Sequence, residues 1–132
     1  MKINKVKSVI VGVSTTGILI HHLITTFSIR LCTVNSGISL IGNTFGTVSY
    51  AIVLADVFAI AIVLLSFVYF HKSGFIIVFI GGLSNLVDRI FLGGVCDYLR
   101  IGALRYNIND VVIVIGIVFI IYEIIRENTQ NS

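Results

Sequence analysis

Residues 48–70 read VSYAIVLADVFAIAIVLLSFVYF. Twenty-three positions in a row carry one charge, Asp56, and no proline. The run lacks the apolar–polar alternation of a strand with one wet face, so its continuity argues for a helix. A hydrocarbon core about 30 Å thick takes about 20 helical residues to cross. A chain in lipid must satisfy its own backbone hydrogen bonds, which a helix does within one segment. This stretch therefore sets the fold: a helix that crosses a membrane.

Three more apolar runs flank it, Val6–Ile29, Gly74–Ile90 and Val111–Ile125. The whole chain of 132 residues is 57% hydrophobic and 11% charged. A soluble domain carries about 25% charged residues, so most of this surface is not built to meet water. The expectation is an all-α membrane protein with four transmembrane helices, one integral membrane domain over residues 1–132. The helices are expected at about 6–29, 48–70, 74–90 and 111–125. A strand-like segment at about 31–47, RLCTVNSGISLIGNTFG and its surroundings, is rich in Ser, Thr, Gly, Asn and β-branched residues, as short strands and turns are. A polar loop at about 91–109 precedes the last helix, and the polar tail ENTQNS is expected to fray.

Lys2, Lys5 and Lys7 precede the first run. Basic residues before an apolar helix favour a cytoplasmic N-terminus. Four crossings then return the C-terminus to the cytoplasm and put segments 31–47 and 91–109 on the outer face. Counting Lys and Arg gives five inside (Lys2, Lys5, Lys7, Lys72, Arg126) and four outside (Arg30, Arg89, Arg100, Arg105). The outer arginines call for partners, which outer carboxylates can supply. The net charge of +3 continues into no basic stripe beyond the N-terminus, which speaks against nucleic-acid binding.

The polar residues that lipid should exclude gather late in the chain. In GFIIVFIGGLSNLVDRI (74–90), Gly81, Asn85 and Asp88 fall on one helix face. Gly81, Gly82 and Ser84 slim this helix so that another can approach. The stretch GVCDYLRIGALRYNIND (94–110) holds Asp97 and Asp110, with Arg100, Arg105 and Asn107 close by. Asp110 is placed to cap the last helix; Asp97 has no such role, and a solvated loop aspartate is the plain alternative. Held close together, two carboxylates cannot both ionise cheaply, so one keeps a proton. The ionised member can then activate water and the neutral one can donate to a carbonyl, the division of an aspartic protease. That chemistry requires no metal.

Three blocks in this order resemble the lipoprotein signal peptidases, the signal peptidase II family: GGLSNLVDR (81–89), VCDY (95–98) and YNINDVVI (106–113), with VNSGIS (34–39) a weaker fourth. The resemblance implies a membrane aspartyl peptidase of the bacterial inner membrane, with Asp97 and Asp110 as the catalytic dyad on the outer face. Asn35, Asn85, Arg89 and Asn107 would support it, and Asp88 would orient Arg89 or hold the helix end. The implied substrate is a prolipoprotein with a lipidated cysteine, met among membrane lipids by a monomer that needs no cofactor. The strand-like segment resembles the small sheet that cradles substrate in this family.

The chain departs from the family pattern in its first helix. GVSTTGILIHHL (12–23) lacks the carboxylate and lysine of the family's block there. Asn109 stands where the family has Ala, and Tyr106 where it has Phe. Asp56 is expected to pair with Arg89 or Arg30, the alternative being a protonated side chain bonded to a Ser or Thr. Cys32 and Cys96 fall on the same side, where a disulfide can form. Adjacent His21 and His22 are expected near the interface, pointing apart, a poor arrangement for a shared metal. Two other functions fit the same residues: a catalytically weak relative that binds lipoprotein signal peptides, or a small channel or transport subunit using Asp56, Asp88 and Arg89.

Overall fold

The computed structural model describes residues 2–27, 33–35 and 50–130. Four helices dominate: α1 (Lys2–Phe27), α2 (Tyr50–Phe70), α3 (Ser73–Leu92) and α4 (Ile108–Gln130). Each contains a stretch long and apolar enough to cross a membrane. Large apolar side chains such as Leu54, Phe58, Leu65, Tyr69, Val114, Val118 and Ile125 are exposed. In lipid, such a surface is the solvated one.

Side-chain contacts fix the relative directions. Lys7 meets Glu123 and Gly17 abuts Ile108, so α1 and α4 run antiparallel. Asp56 meets Arg89 and Ile60 lies against Gly82, so α2 and α3 do too. Lys7 and Gly74 both meet Glu123 and His21 meets Asp88, so α1 and α3 run parallel. The result is an up-down-up-down bundle with α3 in contact with each of the other three helices.

The α3–α4 seam is the tightest. A Cβ on Gly81 would lie 2.8 Å from Ile113 Cγ1 and 3.0 Å from the Asn109 carbonyl oxygen. One on Gly116 would lie 2.7 Å from Val78 Cγ2 and 2.9 Å from its nitrogen. Two glycines, one on each helix, let the backbones approach where lipid offers no hydrophobic drive to association. The slim face of α3 expected from Gly81 thus packs against α4.

At one end of the bundle the α2–α3 connection is only His71 and Lys72, with His71 in the left-handed region at φ 52°. The Gly74 N–H, in the first turn of α3, donates to Glu123 of α4 at 3.3 Å, and Lys7 meets Glu123 at 2.8 Å. Lys72 pairs with Glu127. The helix continues to Gln130, where the sequence led us to expect a frayed tail; the Lys72 pair ties down that last segment.

At the other end, Gly93 closes α3 with φ 74°, a left-handed residue that suits glycine. The stretch expected as loop then folds into strands. β2 (Val95–Asp97) pairs antiparallel with β1 (Thr33–Asn35) in the register Thr33 with Asp97, Val34 with Cys96 and Asn35 with Val95. β3 (Leu99–Ile101) and β4 (Leu104–Tyr106) form a hairpin, with Leu99 opposite Tyr106. Its turn is Gly102–Ala103; Gly102 adopts φ 60°, and its carbonyl accepts from Arg100 Nε at 2.7 Å. Of the strand-like segment expected at 31–47, only Thr33–Asn35 is among the described residues.

Candidate functional site

The polar residues converge where α3, β2 and the start of α4 meet. Asn107 is fully buried and immediately precedes α4. Its Oδ1 accepts the Asp110 N–H at 3.0 Å, while its own N–H donates to Asp110 Oδ2 at 3.2 Å. This reciprocal pair is a capping box built from Asn and Asp. The sequence led us to expect Asp110 as the cap; Asn107 takes that position and Asp110 sits three residues on, in the first turn. There its carboxylate also lies close to the positive end of the helix.

The same Asn107 reaches the other carboxylate. Its Nδ2 donates to Asp97 Oδ1 at 3.4 Å and to Asn85 Oδ1 at 3.2 Å. Asn85, from α3, donates through Nδ2 to Asp110 Oδ1 at 3.0 Å. Asp97 is 3% exposed and Asp110 half-buried. Asp97 and Asp110 are therefore joined through one residue, whose side chain serves Asp97 and whose backbone serves Asp110. Asn109, fully buried, donates to Asn85 Oδ1 at 3.0 Å; its own Oδ1 has no hydrogen-bond partner among the described residues.

Arg89 pairs with Asp56 of α2 at 2.5 Å, so the apolar run's single charge meets one of the two arginines expected for it. Both border an open cavity of about 740 Å³ between α2, α3, α4 and the hairpin. Asn85 and Asp110 share that polar end, whereas Ile60, Val63, Ile113 and Ile117 line the rest. A slot of this kind can take an apolar chain and bring it to Asp110; Asp97 lies buried behind it, reached through Asn107. The backbone of Asn35 lies beside Val95 in the β1–β2 pair, which brings its strand to this end of the bundle.

Asp88 does something the sequence did not disclose. Its Oδ2 accepts from His21 Nε2 at 2.8 Å and from the Cys96 N–H at 3.5 Å. The expected roles were to orient Arg89 or to hold the helix end. The bond to Cys96 does tie the end of α3 to β2, but the strongest tie runs to α1. His21 lies fully buried between helices, and His22 bonds Ser84 at 3.2 Å and comes within 4.0 Å of Asp88. The ligand atoms of His21, His22 and Asp88 lie within 4.8 Å of one another, so these adjacent histidines do converge on one group. Both ring nitrogens of His21 are already engaged, one by Asp88 and the other by the Tyr98 hydroxyl at 3.1 Å. An available cue was the residue type itself: two ionisable side chains inside an apolar helix need a partner.

Tyr98 completes this side of the site. Its hydroxyl accepts the Ile108 N–H at 3.3 Å, one of the donors that a helix start leaves unpaired. Burial lifts the phenol above its ordinary value of 10.0; the Ile108 bond pulls it back, and the charges of Asp88, Asp110 and Asp97 push it further up. Cys96 is disulfide-bonded; Cys32, the other cysteine of the chain, lies outside the described residues.

Fold and site together define a multi-pass membrane protein that gathers carboxylates, carboxamides and an arginine at one end of its bundle, beside an apolar slot. The family described as Signal peptidase (SPase) II matches residues 4–126, and the chain belongs to that family. It is 39% identical over 66 residues to a lipoprotein signal peptidase of Clostridioides difficile (strain 630), covering 47% of this chain and 45% of the relative. It is 38% identical over 61 residues to a lipoprotein signal peptidase of Syntrophus aciditrophicus (strain SB), covering 42% and 38%. The match thus spans less than half the length of either relative. No solved structure matches the chain.

Proposed function

We propose that the chain is a membrane aspartyl endopeptidase that removes signal peptides from diacylglyceryl-modified bacterial prolipoproteins. The observation that carries this reading is Asn107, which bonds Asp97 through its side chain and Asp110 through its backbone. In this reading the two carboxylates work with one proton between them, as a close acidic pair does. The ionised member takes a proton from the attacking water, and the neutral one donates to the scissile carbonyl oxygen as the tetrahedral centre forms. The carboxyl that took the water proton then gives it to the leaving amide nitrogen as the C–N bond breaks, and the other carboxylate takes back a proton from the tetrahedral hydroxyl, restoring the pair.

Asn85 and Asn107 hold both carboxylates in place and can pair with the peptide groups of an unwound substrate, which would otherwise go unsatisfied in lipid. Arg89, paired with Asp56, places a cation at the polar end of the slot, and Asn35 belongs to the strand paired with β2. The slot takes the signal helix or the acyl chains. The active end faces the outside of the inner membrane, with both termini in the cytoplasm, and the protein works as a monomer among lipids.

The test is direct. Purified protein in detergent is mixed with a diacylglyceryl-modified prolipoprotein and, in parallel, with its unmodified precursor. Release of the signal peptide from the lipidated form alone is the expected result. Binding of the lipidated form without cleavage would replace this reading with that of a signal-peptide-binding relative, which the altered first helix favours.

A further inference from the structure

Residues 12–23 of α1 hold neither carboxylate nor lysine, yet α1 is joined to the site by a fully buried histidine. The hydrogen bonds form one continuous path. Ile108 N–H donates to Tyr98 Oη, the Tyr98 hydroxyl meets His21 Nδ1, and His21 Nε2 meets Asp88. Their donor and acceptor roles are mutually consistent for a neutral imidazole: Nε2–H donates to the carboxylate, and Nδ1 accepts the tyrosine proton. The path joins α1, α3, the β2–β3 junction and the first residue of α4.

We infer that His21 and Tyr98 are positioning residues for the Asp97–Asp110 pair. The position of Tyr98 makes the case. It follows Asp97 directly in the chain, and its hydroxyl holds the backbone of Ile108, which lies between Asn107 and Asp110. Tyr98 therefore spans the two segments that carry the carboxylates. His21 fixes where the hydroxyl points, and Asp88 fixes the histidine tautomer, the role an acidic partner plays behind a working histidine. The groups facing His21 are Asp88 from α3, the His22 ring of α1 at 5.2 Å between centroids, and Tyr98. Asp88, Asp97 and Asp110 all act on Tyr98 through their charges. A phenylalanine here would leave both the Ile108 N–H and His21 Nδ1 without this partner.

This inference rests on the peptidase reading, and the test keeps the two apart. Cleavage of the lipidated prolipoprotein is measured against pH for wild type, Tyr98→Phe, His21→Leu, His21→Gln and the Tyr98→Phe/His21→Leu pair. Glutamine keeps one donor and one acceptor at a spacing close to that of the imidazole nitrogens. Displacing a reacting group by about 1 Å costs up to about 100-fold. Tyr98→Phe should lower kcat by about 10-fold or more, leave KM within about 2-fold and shift the midpoints of the pH profile, which a loss of folded protein cannot do. His21→Leu should do the same, the pair should be no worse than the poorer single variant, and His21→Gln should keep the wild-type profile. The near-isosteric Tyr98→Phe decides the matter should His21→Leu not fold. Wild-type kcat and pH midpoints in Tyr98→Phe, or losses that multiply in the pair, would overturn the inference while leaving the peptidase reading intact. A wild type that cleaves nothing overturns both.

Discussion

At the scale of single residues, the site is a set of side chains that satisfy one another. Asn85 gives its amide to Asp110 and takes donors from Asn107 and Asn109. Asn107 caps its helix and steadies both aspartates. Asn85 and Asn107 are buried with partners at hand, because an unpaired polar group there is costly; among the described residues Asn109 Oδ1 departs from this rule. Tyr98 allows a pH prediction. Its folded-state phenol holds its proton more tightly than the unfolded one. The native state therefore binds more protons in that range, and stability falls as pH rises. Thermal unfolding in detergent should show stability present below about pH 10 and lost above it. In Tyr98→Phe that share of the alkaline slope should vanish; an unchanged slope would show that the phenol does not titrate this way.

At the scale of elements, the α3–α4 seam sets the geometry. Gly81 lies one turn before Asn85, and the Asn109 carbonyl it faces belongs to the same helical turn as Asp110. Gly81→Leu should force the helices apart. Overpacking of this kind costs about 1–3 kcal/mol, and here it should also part Asn85 from Asp110. A lower melting temperature together with slowed cleavage by the surviving folded fraction is expected. Unaltered cleavage per folded molecule would mean that the seam does not set the site. This level also separates what the sequence disclosed from what it withheld. The helices were legible because each is a long apolar run. The Asp56–Arg89 pair was legible because a charge in such a run needs a partner. The β3–β4 hairpin was not: its strands are three residues long, too short for alternation to register, and Gly102–Ala103 lacks the Asn-Gly mark of a tight turn. The His21–Asp88 bond, across 67 positions of chain, comes from packing that no local pattern encodes.

At the scale of the molecule, the bundle divides its labour between two ends. One end holds the short α2–α3 turn, with Lys7, Lys72, Glu123 and Glu127 tying helix ends together. The other holds the aspartates, the strands and the open slot. Four alternating helices put both termini at the same end, and the early lysines favour the cytoplasm for it. Tags at the N-terminus, at the His71–Lys72 turn and at the C-terminus should be shielded from a membrane-impermeant reagent in intact cells, and one at Gly102–Ala103 should be labelled. The reverse pattern would put the carboxylates on the wrong side for a secreted substrate. The central claim is that Asp97 and Asp110 act as one unit. It is tested by the cleavage rate of a diacylglyceryl-modified prolipoprotein with wild type, Asp97→Asn, Asp110→Asn and the double variant. Groups that act together are non-additive, so each single variant should lose at least about 1,000-fold and the double variant no more than the worse single. Substantial cleavage by either single variant would contradict it.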